Sequence, residues 1–121
     1  YRLKNFFGGE ILVPKIPSFR ILDLIKAIGG KNKVKVIGIR KGEKLHEEMI
    51  TKSDSLNTIE TKNNYFIIND NQFLLKHYKK NFNAKFVSNN FNYSSDKNQN
   101  FLTANQLRSI INKYVLSQKT N

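Results

Sequence analysis

Residues 34–50 read VKVIGIRKGEKLHEEMI. Val34, Val36, Ile37 and Ile39 make a β-rich run that Gly38 interrupts and Gly42 ends. The GEKLHEEMI that follows can close into a short helix, with Leu45 and Met49 four apart on one side. The stretch therefore predicts a strand that delivers Arg40 and Glu43 to a strand-to-helix junction. Ligands collect at the carboxyl ends of strands in α/β sheets, where loops can vary while the sheet holds them. Arginine offers a planar fork of donors that matches phosphate, and a carboxylate accepts from vicinal ribose hydroxyls. Arg40 and Glu43 across a glycine turn could thus grip a nucleoside diphosphate. An ordinary surface ion-pair network fits the same pattern. Gly42 would let the backbone turn tightly between the two groups.

Upstream, GGEILVPKIPS at 8–18 predicts a short strand, Ile11 to Val13, stopped by Pro14 and Pro17. Proline removes a ladder donor and biases its predecessor away from helix. Ser18 is then the expected N-cap of a helix in which Ile21, Leu22, Leu24, Ile25 and Ile28 repeat with helical period, until Gly29-Gly30 end it. Such a helix should face the core. Lys15 and Arg20 flank the proline turn. Either would meet a diphosphate if the loop borders a cleft, and either reads equally as a solvated charge.

Downstream, 51–64 is polar and poorly periodic, with a turn of helix expected near Asp54 to Thr58. Tyr65 to Ile68 predicts a strand. The NDNQ after it starts a turn or a helix, and FLLKHY fits helix and strand alike. Ala84 to Val87 predicts a short extended piece, and SNNFNYSSDKNQN is expected to be largely loop because its side chains compete for local backbone hydrogen bonds. Thr103 and Gln106 form a capping box, Leu102 and Leu107 a hydrophobic staple. Leu107, Ile110, Ile111, Tyr114 and Val115 supply the apolar stripe of a last helix ending near Leu116, before a frayed SQKTN tail.

Composition bounds the function. With 121 residues, 39% of them apolar, the chain has enough for one modest core. It has no cysteine, which excludes disulfides, thiolate zinc sites and thiol nucleophiles. No stretch approaches the roughly eighteen apolar residues of a membrane span, and the first residues make no secretory signal, so the expected location is cytoplasmic. The chain opens at Tyr1 and runs almost directly into a strand, which suits a piece of a longer chain. The formal charge of +12 would attract any polyanion in a salt-sensitive way. Its lysines stand singly or in pairs, without the aromatic alternation or recognition motif of a nucleic-acid module, so a solvated basic surface is expected and no specific nucleic acid partner.

The remaining constellations are weak. His46 stands beside Glu47 and Glu48, but adjacent helical residues do not face one another, and no Ser, Cys or second His shares the spacing. Glu43, Glu47 and Glu48 lie among lysines with no recognisable cation loop, so no metal site is expected. His77-Tyr78 and Tyr93-Ser94-Ser95-Asp96 give no triad. There is no glycine-rich dinucleotide fingerprint, no P-loop and no glycosidase carboxylate pair, so no catalytic or cofactor-binding residue is assigned here.

GGEILVPKIPSFRILDLIKAI, then VKVIGIRKGEKLHEEMI, then FNYSSDKNQNFLTANQLRSII, in that order and covering most of the chain, resemble the carboxyl-terminal portion of bacterial polysaccharide-biosynthesis UDP-N-acetylglucosamine 4,6-dehydratases. The resemblance implies an α/β fold: the carboxyl-terminal segment of an extended short-chain dehydrogenase (Rossmann-like) enzyme, including part of its small substrate-binding lobe. Residues 1–121 would be that substrate-binding portion, inactive alone, with the amino-terminal NAD(P)-binding Rossmann domain outside it. The implied chemistry of the whole enzyme is oxidation at sugar C4 with NAD or NADP, elimination of water across C5 and C6, and return of hydride to C6. The implied partners are a UDP-sugar, the Rossmann portion of its own chain and further copies in a homo-oligomer. A UDP-sugar 4-epimerase of the same family, or a non-catalytic nucleotide-sugar-binding remnant, are the alternatives. The resemblance assigns Arg40 to the diphosphate and Glu43 to the uridine ribose, and sets Lys15 and Ser18 near the substrate cleft. The family's usual proline at 41 is lysine here and its usual methionine near 19 is phenylalanine. Losing that proline would loosen the turn.

Overall fold

A computed structural model describes residues 6–29 and 33–116, with side chains through 114. They form two compact units, one from 6–16 with 48–94 and the other from 17–47 with 95–116.

The first unit is organised around the run NYFII. Each of these residues is buried in strand β4 (Asn64–Ile68), which explains why Tyr65 to Ile68 is hydrophobic throughout rather than alternating. β1 (Glu10–Pro14), β3 (Thr58–Glu60) and β5 (Lys85–Phe86) complete an antiparallel sheet in the order β1-β4-β3-β5. The expected strand at Ile11 to Val13 is β1. Pro14, which cannot donate to a ladder, ends it on the sheet edge. Helix α2 (Gln72–Phe82) resolves the ambiguity at FLLKHY in favour of helix. Its start is fixed by Asn71, whose side chain accepts from the Leu74 N–H at 3.1 Å. Its end is fixed by Asn83 in the left-handed region at φ 50°. Ile59, Phe66 and Ile68 meet Leu74, Tyr78 and Ala84 on the α2 face of the sheet. Tyr65, Ile67 and Val13 meet Ile50 on the other. Full burial of side chains such as Phe66 and Ile59, both 0% exposed, contributes about 1.5–3 kcal/mol each.

A single 3₁₀ turn, Asp54–Asn57, stands where the turn of helix is expected. The Asp54 carboxylate accepts from the Thr51 hydroxyl at 2.6 Å and the Thr51 N–H at 3.0 Å. These two donors hold its pKa below the ordinary value. β2 (Glu48–Ile50) pairs irregularly with β6 (Tyr93–Ser94).

The second unit packs helix α1 (Ile21–Ile28) against helix α3 (Ala104–Ile111), which continues as a wider π-type turn through Asn112–Leu116. Both helices stand where the periodicity puts them, and the Thr103–Gln106 capping box is present in both directions. Arg108 reaches the carboxyl end of α1, donating to the Ala27 carbonyl at 3.2 Å and the Lys26 carbonyl at 2.8 Å. A guanidinium there satisfies carbonyls that have no helical partner and meets the negative end of the helix dipole.

Several expectations need correction. The run Val34 to Ile39 forms no strand among the described residues, and its apolar side chains are exposed. Strand formation needs a partner, which composition alone does not supply. GEKLHEEMI is not a helix. Its last residues, Glu48–Ile50, are β2, because cross-strand pairing with Tyr93–Ser94 outweighs the local helical spacing. Ser18 does not cap α1. The N-cap is Arg20, without a side-chain bond, because the Ser18 backbone is committed to a parallel bridge with Phe101. The α1 stripe is less core-facing than its period suggests: Ala27 is buried, whereas Ile21, Leu22 and Ile28 are exposed. In α3, Leu107 is buried but Ile110 is exposed, as is Tyr114 in the π-type turn that follows. The expected tail at 117–121 and the Val115 side chain lie outside the described residues.

Candidate functional site

The four residues singled out in the sequence fall in both units, Lys15 in the first and Ser18, Arg40 and Glu43 in the second. Arg40 and Glu43 are brought together. Glu43 N–H donates to the Arg40 carbonyl at 3.0 Å, closing a tight turn through Lys41 and Gly42. Gly42 sits at φ 90°, a region where side-chain-bearing residues are strained. The Glu43 carboxylate folds back over the turn, and its Oε2 accepts the Arg40 N–H at 2.8 Å. The pair is therefore linked by backbone and carboxylate, not by a guanidinium–carboxylate bridge. Among the described residues the Arg40 guanidinium has no hydrogen-bond or ion-pair partner, and both residues are exposed. The turn thus presents a planar cation with all its donors available, beside a carboxylate with one oxygen uncommitted. A diphosphate next to a vicinal diol has the complementary chemistry.

Ser18 is held by an arrangement that the sequence did not announce. Its N–H donates to the Asn100 carbonyl and its carbonyl accepts from the Leu102 N–H, both at 2.8 Å. Its hydroxyl oxygen accepts from Asn98 Nδ2 at 3.0 Å, while the hydroxyl proton has no acceptor among the described residues. Arg20, on the same segment, stacks its guanidinium 5.2 Å from the Phe101 ring. Asn98 and Asn100 lie in the polar run that reads as loop. Their density of amides was the only signal, and it did not point to Ser18.

Lys15 is fully engaged. Its ammonium pairs with Glu60 and donates to the Thr61 carbonyl at 2.8 Å and, at 3.4 Å, to that of Lys62. It also lies 4.9 Å from the Tyr65 ring centre. Three protons meet three acceptors, so this lysine ties the end of β1 to the β3–β4 turn.

His46 is exposed and has no hydrogen-bond partner among the described residues. His77 packs on aromatic rings, 4.5 Å from Phe7 and 5.6 Å from Tyr78, and its Nδ1 is 3.1 Å from Asn81 Nδ2. No group of three or more His, Asp or Glu side chains converges among the described residues. None of the described glycines opens a helix after a strand, the arrangement a dinucleotide phosphate requires. No described helix is long and apolar enough to cross a membrane.

The described residues thus combine helices and antiparallel strands with an exposed, hydrogen-bonded Arg-x-Gly-Glu turn. Residues 2–69 match the family described as "Polysaccharide biosynthesis protein", and the chain belongs to that family. It is 43% identical over 118 residues to a UDP-N-acetylglucosamine 4,6-dehydratase (inverting) of Campylobacter jejuni subsp. jejuni serotype O:2, covering 91% of this chain and 35% of that one. It is 41% identical, with the same coverage, to a protein of that description from serotype O:23/36. The chain thus spans about a third of the length of the curated relatives it matches. Among solved structures, Pen from Bacillus thuringiensis superposes with a TM-score of 0.67 at 28% identity, over 97% of this chain and 34% of that one.

Proposed function

We propose that this chain is the substrate-holding, carboxyl-terminal portion of a UDP-N-acetylglucosamine 4,6-dehydratase that supplies sugars for surface polysaccharide or glycan. The observation that carries the reading is the 41–43% identity to two inverting dehydratases across 91% of the chain. The geometry of the Arg40–Glu43 turn supports it. In this reading Arg40 binds the diphosphate through its uncommitted guanidinium, and Glu43 accepts from the uridine ribose through the carboxylate oxygen that the turn leaves over. Ser18 has a hydroxyl proton to donate. Lys15 would have to leave Glu60 to reach a ligand, so its contribution is to hold the β3–β4 turn in place.

The chain's share of the chemistry is the UDP handle. Binding energy gathered on a part of the substrate that does not react holds the sugar in register with the reacting groups, which lowers the entropic part of the barrier. The redox cofactor, NAD or NADP, is assigned to the amino-terminal portion of an extended short-chain dehydrogenase, on the family resemblance. The lyase activity of the whole enzyme, the inactivity of this portion alone, a homo-oligomeric state and a cytoplasmic location belong to the same proposal and rest on the family resemblance.

The test is calorimetric titration of UDP and UDP-N-acetylglucosamine into the full-length protein with and without Arg40→Ala. Loss of a charge-assisted contact of about 1.5–3 kcal/mol corresponds to affinity roughly 10- to 100-fold weaker, with cofactor content unchanged. Equal affinity in the two proteins would remove Arg40 from the site.

A further inference from the structure

The Arg40–Glu43 turn is closed by a device that the choice of Glu at 43 alone does not predict. Gly42 has φ +90°, whereas Lys41 is not among the residues with positive φ. A positive φ at the third position only is the mark of a type II turn, in which Lys41 occupies the second position. Proline favours that position because its ring presets φ; lysine supplies no such restriction. A turn built on lysine and glycine loses more chain entropy on closing than one built on proline. Closure here is nevertheless made twice. The backbone bond from Glu43 N–H to the Arg40 carbonyl is 3.0 Å, and a second bond runs the opposite way, from the Arg40 N–H to Glu43 Oε2 at 2.8 Å. The second bond ties the carboxylate to the backbone of the very residue whose guanidinium faces outward.

We infer that Glu43 is a positioning residue for Arg40: one carboxylate oxygen holds the turn closed, providing the order that lysine at 41 does not, and only the other oxygen is offered to the nucleoside. The inference rests on the reading of Arg40 as the diphosphate contact, and it changes what Glu43 does within that reading. Part of Glu43's effect on binding passes through Arg40, because an open turn lets the guanidinium sample directions that miss the ligand. Lys41 N–H has no hydrogen-bond partner among the described residues, so proline at 41 forfeits no donor and can replace the closing function of Glu43 without replacing its ligand contact.

The experiment is a cycle in the full-length protein, with UDP as the probe in calorimetry: Lys41→Pro, Glu43→Ala, both together, Glu43→Gln and Arg40→Ala. Lys41→Pro should recover about 2- to 5-fold of UDP affinity in the Glu43→Ala background, the gain typical of a compatible proline, and change affinity less than that when the carboxylate is present. Glu43→Gln, whose amide oxygen can still accept the Arg40 N–H, should lose less than Glu43→Ala. The same factor for Lys41→Pro in both backgrounds would mean that Glu43 does not act through the turn, and would overturn the inference.

Hydrogen exchange at the Arg40 amide, without ligand, separates the two levels of the claim. Glu43→Ala should speed it by about 2- to 10-fold, the scale of one hydrogen bond's net contribution, while Glu43→Gln leaves it nearly unchanged. If Arg40→Ala leaves UDP affinity intact while the amide responds to Glu43→Ala in this way, the turn device stands and the UDP reading falls. If the amide exchanges equally in all variants, the turn device falls whatever UDP does.

Discussion

Tyr78→Phe removes one oxygen from the interior of the first unit and leaves the ring in place. Tyr78 is fully buried, and its ring lies 4.3 Å from Phe66 and 5.5 Å from Phe82. Phenylalanine keeps those contacts. What it loses is the hydroxyl's bond to Glu10 Oε1 at 3.1 Å, on the same oxygen that accepts the Phe7 N–H at 2.9 Å. A hydrogen bond to an ionised group is worth about 1.5–3 kcal/mol when well made. This one is long for a hydroxyl on a carboxylate, and Glu10 is partly exposed, so water can replace part of the loss and about 1 kcal/mol is expected. Partial burial pushes the Glu10 pKa up. The Phe7 N–H, Glu10's own N–H, the Tyr78 hydroxyl and the Gly8 N–H together outweigh it, and the pKa falls below the ordinary 4.5. A carboxylate whose pKa is lower folded than unfolded stabilises the fold above the unfolded value, and that stability is lost as pH falls through the folded one. The Tyr78→Phe deficit should therefore be present in full at pH 7 and shrink in acid as Glu10 becomes protonated. The assay is hydrogen exchange of the β1 and β4 amides in the full-length protein, corrected for the intrinsic pH dependence of exchange. Protection at neutral pH should fall about 5-fold, the equivalent of 1 kcal/mol. A deficit of the same size at neutral and acid pH, or none at pH 7, would refute the assignment of this bond to the charged carboxylate.

Ile59→Ala should cost about 2–5 kcal/mol, because Ile59 is fully buried between Phe66 and α2 and truncation leaves a cavity there; the denaturation midpoint of the first unit measures it. Arg108→Ala should destabilise the carboxyl end of α1 by roughly 1–2 kcal/mol through the lost bonds to the Lys26 and Ala27 carbonyls. Arg108→Lys should restore only part of that, since it keeps the charge and loses the fork, and exchange at the α1 amides distinguishes the three proteins. Gly42→Ala meets no atom within 4 Å, so its effect is purely conformational. The strain at φ +90° of about 1–2 kcal/mol should appear as weaker UDP binding by calorimetry, with no change in the denaturation midpoint of the first unit.

What could be read in the sequence is what local chemistry encodes. β1 ends where Pro14 must end it, the run NYFII becomes β4, and Thr103 and Gln106 start α3 with the reciprocal bonds their side chains allow. The start of α2 was also encoded, in Asn71 as a cap and in Leu74, Tyr78 and Phe82 four apart. NDNQ reads as a turn or a helix start, and the element stays open between helix and strand because the window FLLKHY is too short to separate a period of 3.6 from one of 2.

The failures share a cause of the opposite kind. Val34 to Ile39 has every residue type a strand prefers, and 45–49 has a helical spacing, yet the first pairs with nothing described and the second enters a strand. Pairing is a property of two segments: Glu48 and Ile50 are strand residues because Tyr93 and Ser94 are opposite them, more than forty positions away. The site divides along the same line. The Arg40–Glu43 turn lies within four consecutive residues and was legible, including the need for Gly42. The three acceptors that claim Lys15 sit at the end of β3 and on the β3–β4 turn, and the amide that holds Ser18 comes from Asn98. A charge or hydroxyl read from sequence is a candidate ligand only until the fold says which acceptors reach it first. By that criterion Arg40, whose guanidinium no described residue claims, is the side chain on which the functional reading should be tested.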